Sequence, residues 1–233
     1  MRLWISKLLF VTTLIVVTAF GGGTGSSQGT FLNLGFESAN VPDLPPDQGG
    51  FVSAAEGLSG WNVSPPVLIG HNTRSLGGPA VAIEGPLYNP SFILQGKYTA
   101  YLWNTASISQ TGLVPETARS LYFISAPLIS STEPNFVVTV GDASIPLAHM
   151  GDRANYSIWA GDISRFAGLT EELRFTAPPG LGGYLDLITF SPIALPEPST
   201  SALLVVAGLL LWIRSLTRNR RNSAEKGQSN IMS

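Results

Sequence analysis

The chain has 233 residues, of which 44% are hydrophobic and 12% are charged, and this favours one core-forming domain flanked by short apolar targeting segments. It contains no cysteine, which excludes disulfides, thiolate metal sites and thiol catalysis. The formal net charge is -2, but thirteen acidic residues outnumber six basic ones between Gly22 and Leu195, so repulsion disfavours a nucleic-acid partner. The 25 glycines and 17 prolines favour short strands and tight turns, which predicts an all-β domain.

The N-terminus has the layout of a secretory signal peptide, assigned to residues 1–22. Two basic residues come before an apolar run at 8–20, and small residues follow it. The run is shorter than the roughly 20 residues of a bilayer span, so cleavage is expected within 19–23. An uncleaved N-terminal anchor is the alternative. Residues 23–29 are then a linker.

Residues 30–193 show short β-rich runs separated by turn residues, which predicts a β-sandwich or barrel. Leu121 and Phe123 alternate with Tyr122 and Ile124, and Leu173 and Phe175 alternate with Arg174 and Thr176, so one face of each strand is predicted to be buried. The predicted strands are 61–63, 81–83, 98–103, 121–126, 136–140, 157–163, 172–177 and 184–190.

Four stretches of this region resemble galactose-binding-like jelly-roll modules, a group that includes carbohydrate-binding modules of exported proteins. These stretches are Asn33–Glu37, Ser59–Trp61, Ile108–Thr111 and the closing run from Trp159 to Phe190. The resemblance implies an all-β jelly-roll sandwich. The Pro/Gly-rich segments 41–50 and 67–78 have no counterpart in it and are predicted to be insertions.

The same resemblance implies a metal site at Glu37 and Asp186, since several such modules bind a structural calcium through the matching carboxylates. Calcium takes six to eight oxygen ligands, and backbone carbonyls supply some of them, so two carboxylates are enough to suggest the site. Such a calcium would tie the first strand to the last. Ordinary surface or hydrogen-bonded carboxylates are the alternative.

Exposed aromatic residues could stack on sugar rings, as they do in carbohydrate-binding modules. Trp103 and Tyr88 are the candidates for glycan contact, and Tyr88 lies in an evident Gly/Pro-rich loop. Trp61 and Trp159 are assigned to the core instead, because a tryptophan on a sandwich strand is usually buried.

Few features of the sequence indicate an enzyme. His71 and His149 are isolated, and the motifs Gly-x-Ser-x-Gly and His-Glu-x-x-His do not occur. A glycosidase, which needs only two suitably spaced carboxylates, is the enzyme class that this pattern leaves open. The expectation is a non-enzymatic protein.

The C-terminal part combines three features in a fixed order. Pro196-Glu197-Pro198 precedes the apolar run 202–213, and a basic cluster follows it. The prolines hold the segment extended, and the basic flank places the tail in the cytoplasm by the positive-inside rule. With its polar flank the span is about 15 residues, a marginal anchor for a hydrocarbon core of about 30 Å. A buried core helix is the alternative. The basic residues of the signal are Arg214, Arg218, Arg220 and Arg221.

This order resembles the PEP-CTERM sorting signal of Gram-negative bacteria that make extracellular polysaccharide. The resemblance covers 194–221 and implies recognition by an exosortase, a membrane-embedded protease that removes the tail during surface delivery. The remaining polar tail, 222–233, runs longer than is usual for the family.

The expected function is therefore that of an exported surface or extracellular-matrix protein, membrane-anchored until an exosortase processes it. Its role is expected to be structural or adhesive and linked to exopolysaccharide. The alternative is a carbohydrate-binding module that recognises a defined glycan. Calcium is the one cofactor considered.

Overall fold

The computed structural model describes residues 28–45, 48–65, 68–73, 78–86, 89–127 and 134–195. The predicted signal peptide and the sorting segment from Pro196 onward lie outside these residues. Within the described ranges, no helix has both the length and the apolar character needed to cross a membrane.

Two β-sheets make up the described part, which confirms the predicted β-sandwich. The larger sheet has eight strands in the order β1-β3-β4-β5-β13-β7-β11-β10, and all neighbours are antiparallel except β3 and β4. Its strands are β1 (Gly50–Val52), β3 (Ile69–His71), β4 (Ala80–Glu84), β5 (Thr99–Trp103), β7 (Ser120–Pro127), β10 (Leu147–Asp152), β11 (Ser157–Asp162) and β13 (Gly182–Ser191).

The smaller sheet has five antiparallel strands in the order β2-β6-β12-β8-β9. They are β2 (Asn62–Ser64), β6 (Ser107–Leu113), β8 (Val137–Val140), β9 (Ala143–Ser144) and β12 (Thr170–Thr176). Within the part of the chain that the structure describes, helical structure is confined to short turns. These are α1 (Ala54–Gly57) and the 3-10 helices Pro90–Phe92 and Ser164–Phe166.

The main core lies between the two sheets and is built from alternate residues of their strands. Phe123 of β7 and Phe175 of β12 face each other edge to face, with ring centroids 5.2 Å apart, and both are fully buried. Trp61 packs against Phe175 in the same core. The predicted alternation is therefore confirmed for β12, where Leu173 is also buried and Arg174 lies on the opposite face.

The larger sheet is also covered on its outer face, by a second cluster that the sequence did not suggest. Ile124, Tyr101 and Tyr184 are buried there, and Phe92 of the segment between β4 and β5 stacks on Tyr184 with centroids 5.0 Å apart. Central strands such as β5 and β7 therefore carry apolar residues on both faces. The segment that contains Phe92 folds over the sheet and covers the outer face.

All eight predicted strands occur in the structure, with ends that differ by one or two residues. Strand β6 was not predicted, because Ser and Gln alternate there with few apolar residues. Strand β3 lies inside the segment 67–78 that was expected to be an insertion, and β1 begins at Gly50, the last residue of the segment 41–50; each strand is three residues long. Short edge strands give little periodicity for sequence reasoning to detect.

Candidate functional site

Glu37 lies in a tight turn rather than in a strand. Asn33 and Phe36 both have positive φ, at 51° and 58°, and the Asn33 side chain accepts the Ser38 N–H at 2.9 Å, which closes the turn. Phe36 is fully buried, so it anchors the turn to the core while the next residue, Glu37, stays exposed. The turn thus aims the Glu37 carboxylate along the surface.

The Glu37 carboxylate accepts hydrogen bonds from the backbone of the segment before β5. The Lys97 N–H lies 2.9 and 3.1 Å from its two oxygens, and the Tyr98 N–H lies 3.2 Å from Oε1. Gly96 has a φ of 67°, and a methyl group at that position would collide with the same carboxylate. Glycine is therefore required for the close approach.

Asp186 is fully buried in β13, next to a β-bulge that interrupts the pairing with β7. Its Oδ2 accepts the Gln95 N–H at 3.1 Å and the Thr99 hydroxyl at 3.0 Å. Its Oδ1 accepts the Leu187 N–H at 2.7 Å, and Leu187 has a φ of 47°. The bulge therefore turns this carboxylate toward the 95–99 segment instead of leaving it in a regular ladder.

Burial raises the pKa of Asp186 to about 7, and the negative charge of Glu37 adds to the rise. The three hydrogen bonds that Asp186 accepts act in the opposite direction but are outweighed by desolvation. The group is therefore close to half protonated near neutral pH. A cation placed beside it would favour the ionised form.

The structure places Glu37 and Asp186 beside the same segment, residues 95–99. Both carboxylates accept hydrogen bonds from backbone N–H groups of this segment. Glu84 is also nearby along the sheet, since it pairs in register with Thr99. Among the described residues, however, no group of three or more His, Asp or Glu side chains could hold a metal ion. A calcium at this point would have to draw further oxygen ligands from backbone carbonyls, which is compatible with its preferences. In the structure, the oxygens of both carboxylates accept hydrogen bonds from N–H or O–H donors of residues 95–99 and Leu187.

Sequence reasoning missed Thr99 and Gln95, which complete the environment of Asp186. Gln95 contributes its backbone N–H, which no residue type signals. Thr99 is fully buried, and its role depends on the register between β5 and β13. Long-range pairing of this kind has no local sequence signature.

The aromatic candidates are placed differently from one another. Trp61 and Trp159 are both buried in the main core, which confirms their assignment. Trp103 is partly buried at the end of β5, where it packs against the outer-face cluster with Phe92. Tyr88 lies outside the described residues, as do all residues of the sorting signal.

No family model matches the chain, and no curated protein matches it. Among solved structures, the chain is similar to TmCBM61 in complex with β-1,4-galactotriose, with a TM-score of 0.37 and 16% sequence identity. The match covers 71% of this chain and 100% of that one. The β-sandwich assignment accordingly rests on the strand pairing and the buried core described above.

Proposed function

We propose that the chain is an exported surface or extracellular-matrix protein, anchored by its C-terminal apolar segment until an exosortase removes the tail. The observation that carries this proposal is the order of Pro196-Glu197-Pro198, apolar run and arginine cluster. The position of the sandwich supports it, since β13 ends at Ser191, only a few residues before Pro196. In the sequence, the motif therefore stands between the last strand of the folded domain and the apolar run.

The β-sandwich in this proposal is a galactose-binding-like jelly roll, with a structural or adhesive role in the envelope or extracellular polysaccharide. Support comes from the resemblance of the motifs and from the meeting of the Glu37 turn with Asp186 at the 95–99 segment. A non-enzymatic role is part of the proposal. A structural calcium bound by Glu37 and Asp186 would balance the negative charge of the two carboxylates.

Sorting is tested in a native host by mass spectrometry of the protein released from the surface. The expected result is a new C-terminus between Pro196 and Ser201. The double variant Pro196→Ala, Pro198→Ala should stay in the membrane fraction at full length, because the extended segment that the protease grips is lost. Mature surface protein that still ends at Ser233 would overturn the proposal.

A carbohydrate-binding module is the second candidate, and the outer face of the larger sheet favours it. Trp103 and Phe92 are partly buried there, and the ring of Phe92 stacks on that of Tyr184. Aromatic rings that present part of their surface on a rigid sheet are suited to pack against sugar rings.

A glycan array separates this candidate from a purely structural role. Specific, saturable binding that Trp103→Ala weakens would support it. Phe51→Ala is the matched control, because Phe51 is 61% exposed on edge strand β1 of the same sheet, outside the aromatic cluster. Equal losses in both variants would argue for non-specific adhesion to exposed rings.

A further inference from the structure

The end of the sandwich opposite Ser191 carries a strained residue on its surface. This end includes the turn 103–106, which joins β5 to β6, and the segment 177–182, which leads from β12 to β13. Trp103 pairs in register with Gly182, so the turn and the segment lie side by side. Together they are called the distal tip below.

Hydrogen bonds join the two parts of the distal tip. The Asn104 N–H donates to the Leu181 carbonyl at 2.8 Å, and the Asn104 side chain accepts the Gly180 N–H at 2.9 Å. The Thr105 N–H donates to the Ala177 carbonyl at 3.1 Å. These bonds hold the backbone of the turn in place without a ligand, which lowers the cost of ordering it when a ligand binds.

Thr105 has a backbone conformation that its residue type disfavours. Asn104 and Thr105 have φ values of 50° and 69°, and the Ala106 N–H donates to the Trp103 carbonyl at 3.2 Å, as in a type I′ turn. Asparagine and glycine are common in such turns, whereas a β-branched residue at positive φ is an outlier. The Thr105 side chain is exposed, so burial in the core does not offset the strain.

Glycine at position 105 would adopt the same φ without the steric cost. Strained residues persist where the surrounding structure determines their conformation, and they cluster at sites that bind ligands. Compared with glycine, Thr105 adds a hydroxyl group and a methyl group to the surface. The benefit of this side chain is therefore to be sought in a contact with a ligand.

The surface around Thr105 suits a neutral sugar ring. Trp103, in the same turn, is only partly buried, so part of its indole ring is available for packing. A methyl group built on Gly180 would meet nothing within 4 Å, so there is open space beside the turn. Neither part of the distal tip contains a charged residue. A hydroxyl, an aromatic surface and uncharged surroundings favour a neutral ligand over an ion.

We propose that Thr105 determines the specificity of the glycan-binding face, through a hydrogen bond between its hydroxyl and a hydroxyl of the sugar unit that packs on Trp103. The inference rests on the carbohydrate-binding candidate and adds a polar contact to it. A hydroxyl held by a rigid turn selects the neutral sugar whose own hydroxyl lies within reach, whereas packing on an aromatic ring selects much less.

The test is titration calorimetry of the detergent-purified full chain with cellotriose, mannotriose and galactotriose, and with trigalacturonate as an anionic counterpart. At least one neutral trisaccharide should bind saturably and more tightly than trigalacturonate. Thr105→Gly should weaken this binding about three- to tenfold, which corresponds to one neutral hydrogen bond. Its melting temperature should stay the same or rise, because the steric strain is removed.

Two further variants separate the hydroxyl from other effects of the substitution. Thr105→Ser keeps the hydroxyl and should restore most of the affinity that Thr105→Gly loses. Thr117→Gly removes an exposed threonine before β7, at the other end of the sandwich, and it should leave binding unchanged.

Full affinity in Thr105→Gly, or an equal loss in Thr105→Gly and Thr105→Ser, would overturn the role of the hydroxyl. If Trp103→Ala still abolished binding in that case, the carbohydrate-binding candidate would stand. A wild-type chain that binds none of the trisaccharides and no arrayed glycan would overturn both.

Discussion

Asp186 is completely buried and accepts three hydrogen bonds from the surrounding chain, as a buried carboxylate requires. The bonds position it, but they do not offset its desolvation, so its pKa is raised to about 7. Folding therefore depends on pH at this residue.

The direction of that dependence follows from the proton count. In the unfolded chain Asp186 ionises near its ordinary value of 3.8, whereas in the folded protein it keeps its proton until about pH 7. Its contribution to stability is fully present below about pH 4 and is lost as the pH rises to 7, by at most about 1.4 kcal/mol for each pH unit. In chelator, the melting temperature of the full chain should fall less over this interval in Asp186→Asn than in wild type. An equal fall in both would contradict the assignment, and Asp142→Asn is the control that should behave like wild type.

Bound calcium would stabilise the ionised form of Asp186 and would therefore lower the pKa that burial raises. A ligand that binds only the folded state stabilises it by about 2.7 kcal/mol at a hundredfold excess over Kd. Millimolar calcium at pH 7 should therefore raise the melting temperature of wild type and have no effect on Asp186→Asn or Glu37→Gln. Identical melting curves in chelator and calcium, or a full shift in Asp186→Asn, would remove the metal site.

At the scale of elements, the segment between β4 and β5 connects the parts of the site. It carries Phe92 over the outer face of the sheet, offers its backbone to Glu37 and Asp186, and ends at Tyr98, whose N–H is one of the donors to Glu37. A substitution at Gly96, the left-handed glycine of this segment, should therefore also disturb the contact with the Glu37 carboxylate.

Gly96→Ala and Gly180→Ala form a matched pair, because both glycines have a φ of 67°. A methyl group at Gly180 would meet nothing within 4 Å, whereas at Gly96 it would collide with the Glu37 carboxylate. Both variants incur backbone strain of about 1 kcal/mol or more, and Gly96→Ala should lose roughly a further 1 to 2 kcal/mol in chemical denaturation. Equal losses would mean that the Glu37 contact contributes nothing to stability.

The strands also show how much of the fold could be predicted from the sequence. Strands such as β7 and β12 were predictable, because alternating apolar residues mark their core face. Strand β6 was not, because its buried residues include Ser109 and Gln110, which are buried by neighbouring chain rather than by hydrophobicity. Likewise Glu37 and Asp186 could be named from their motifs, but their shared segment depends on pairings far apart in the chain.

For the whole molecule, residues between 31 and 190 supply two extensive apolar clusters, so we expect the sandwich to fold without either terminal segment. Residues 28–195 should fold alone as a monomer with a β-type circular dichroism spectrum and a cooperative thermal transition. Retaining Gln28 matters, since its side chain accepts the Phe190 N–H at 2.9 Å. A mainly helical spectrum would contradict the fold. Aggregation would point to exposed residues such as Phe51 and Leu68 as a contact surface.

The position of β13 has a mechanical consequence. This strand leads toward the C-terminal segment, yet it lies inside the larger sheet, hydrogen-bonded to β5 on one side and to β7 on the other. A tension applied along the chain beyond Ser191 therefore acts parallel to the β7 pairing, which reaches Ser191, and then to the β5 pairing of Gly182–Leu185, and it loads both in shear. An edge strand would instead peel away one bond at a time. In a sandwich held to a surface through its C-terminal side, flow would therefore pull on an internal strand rather than on an edge strand.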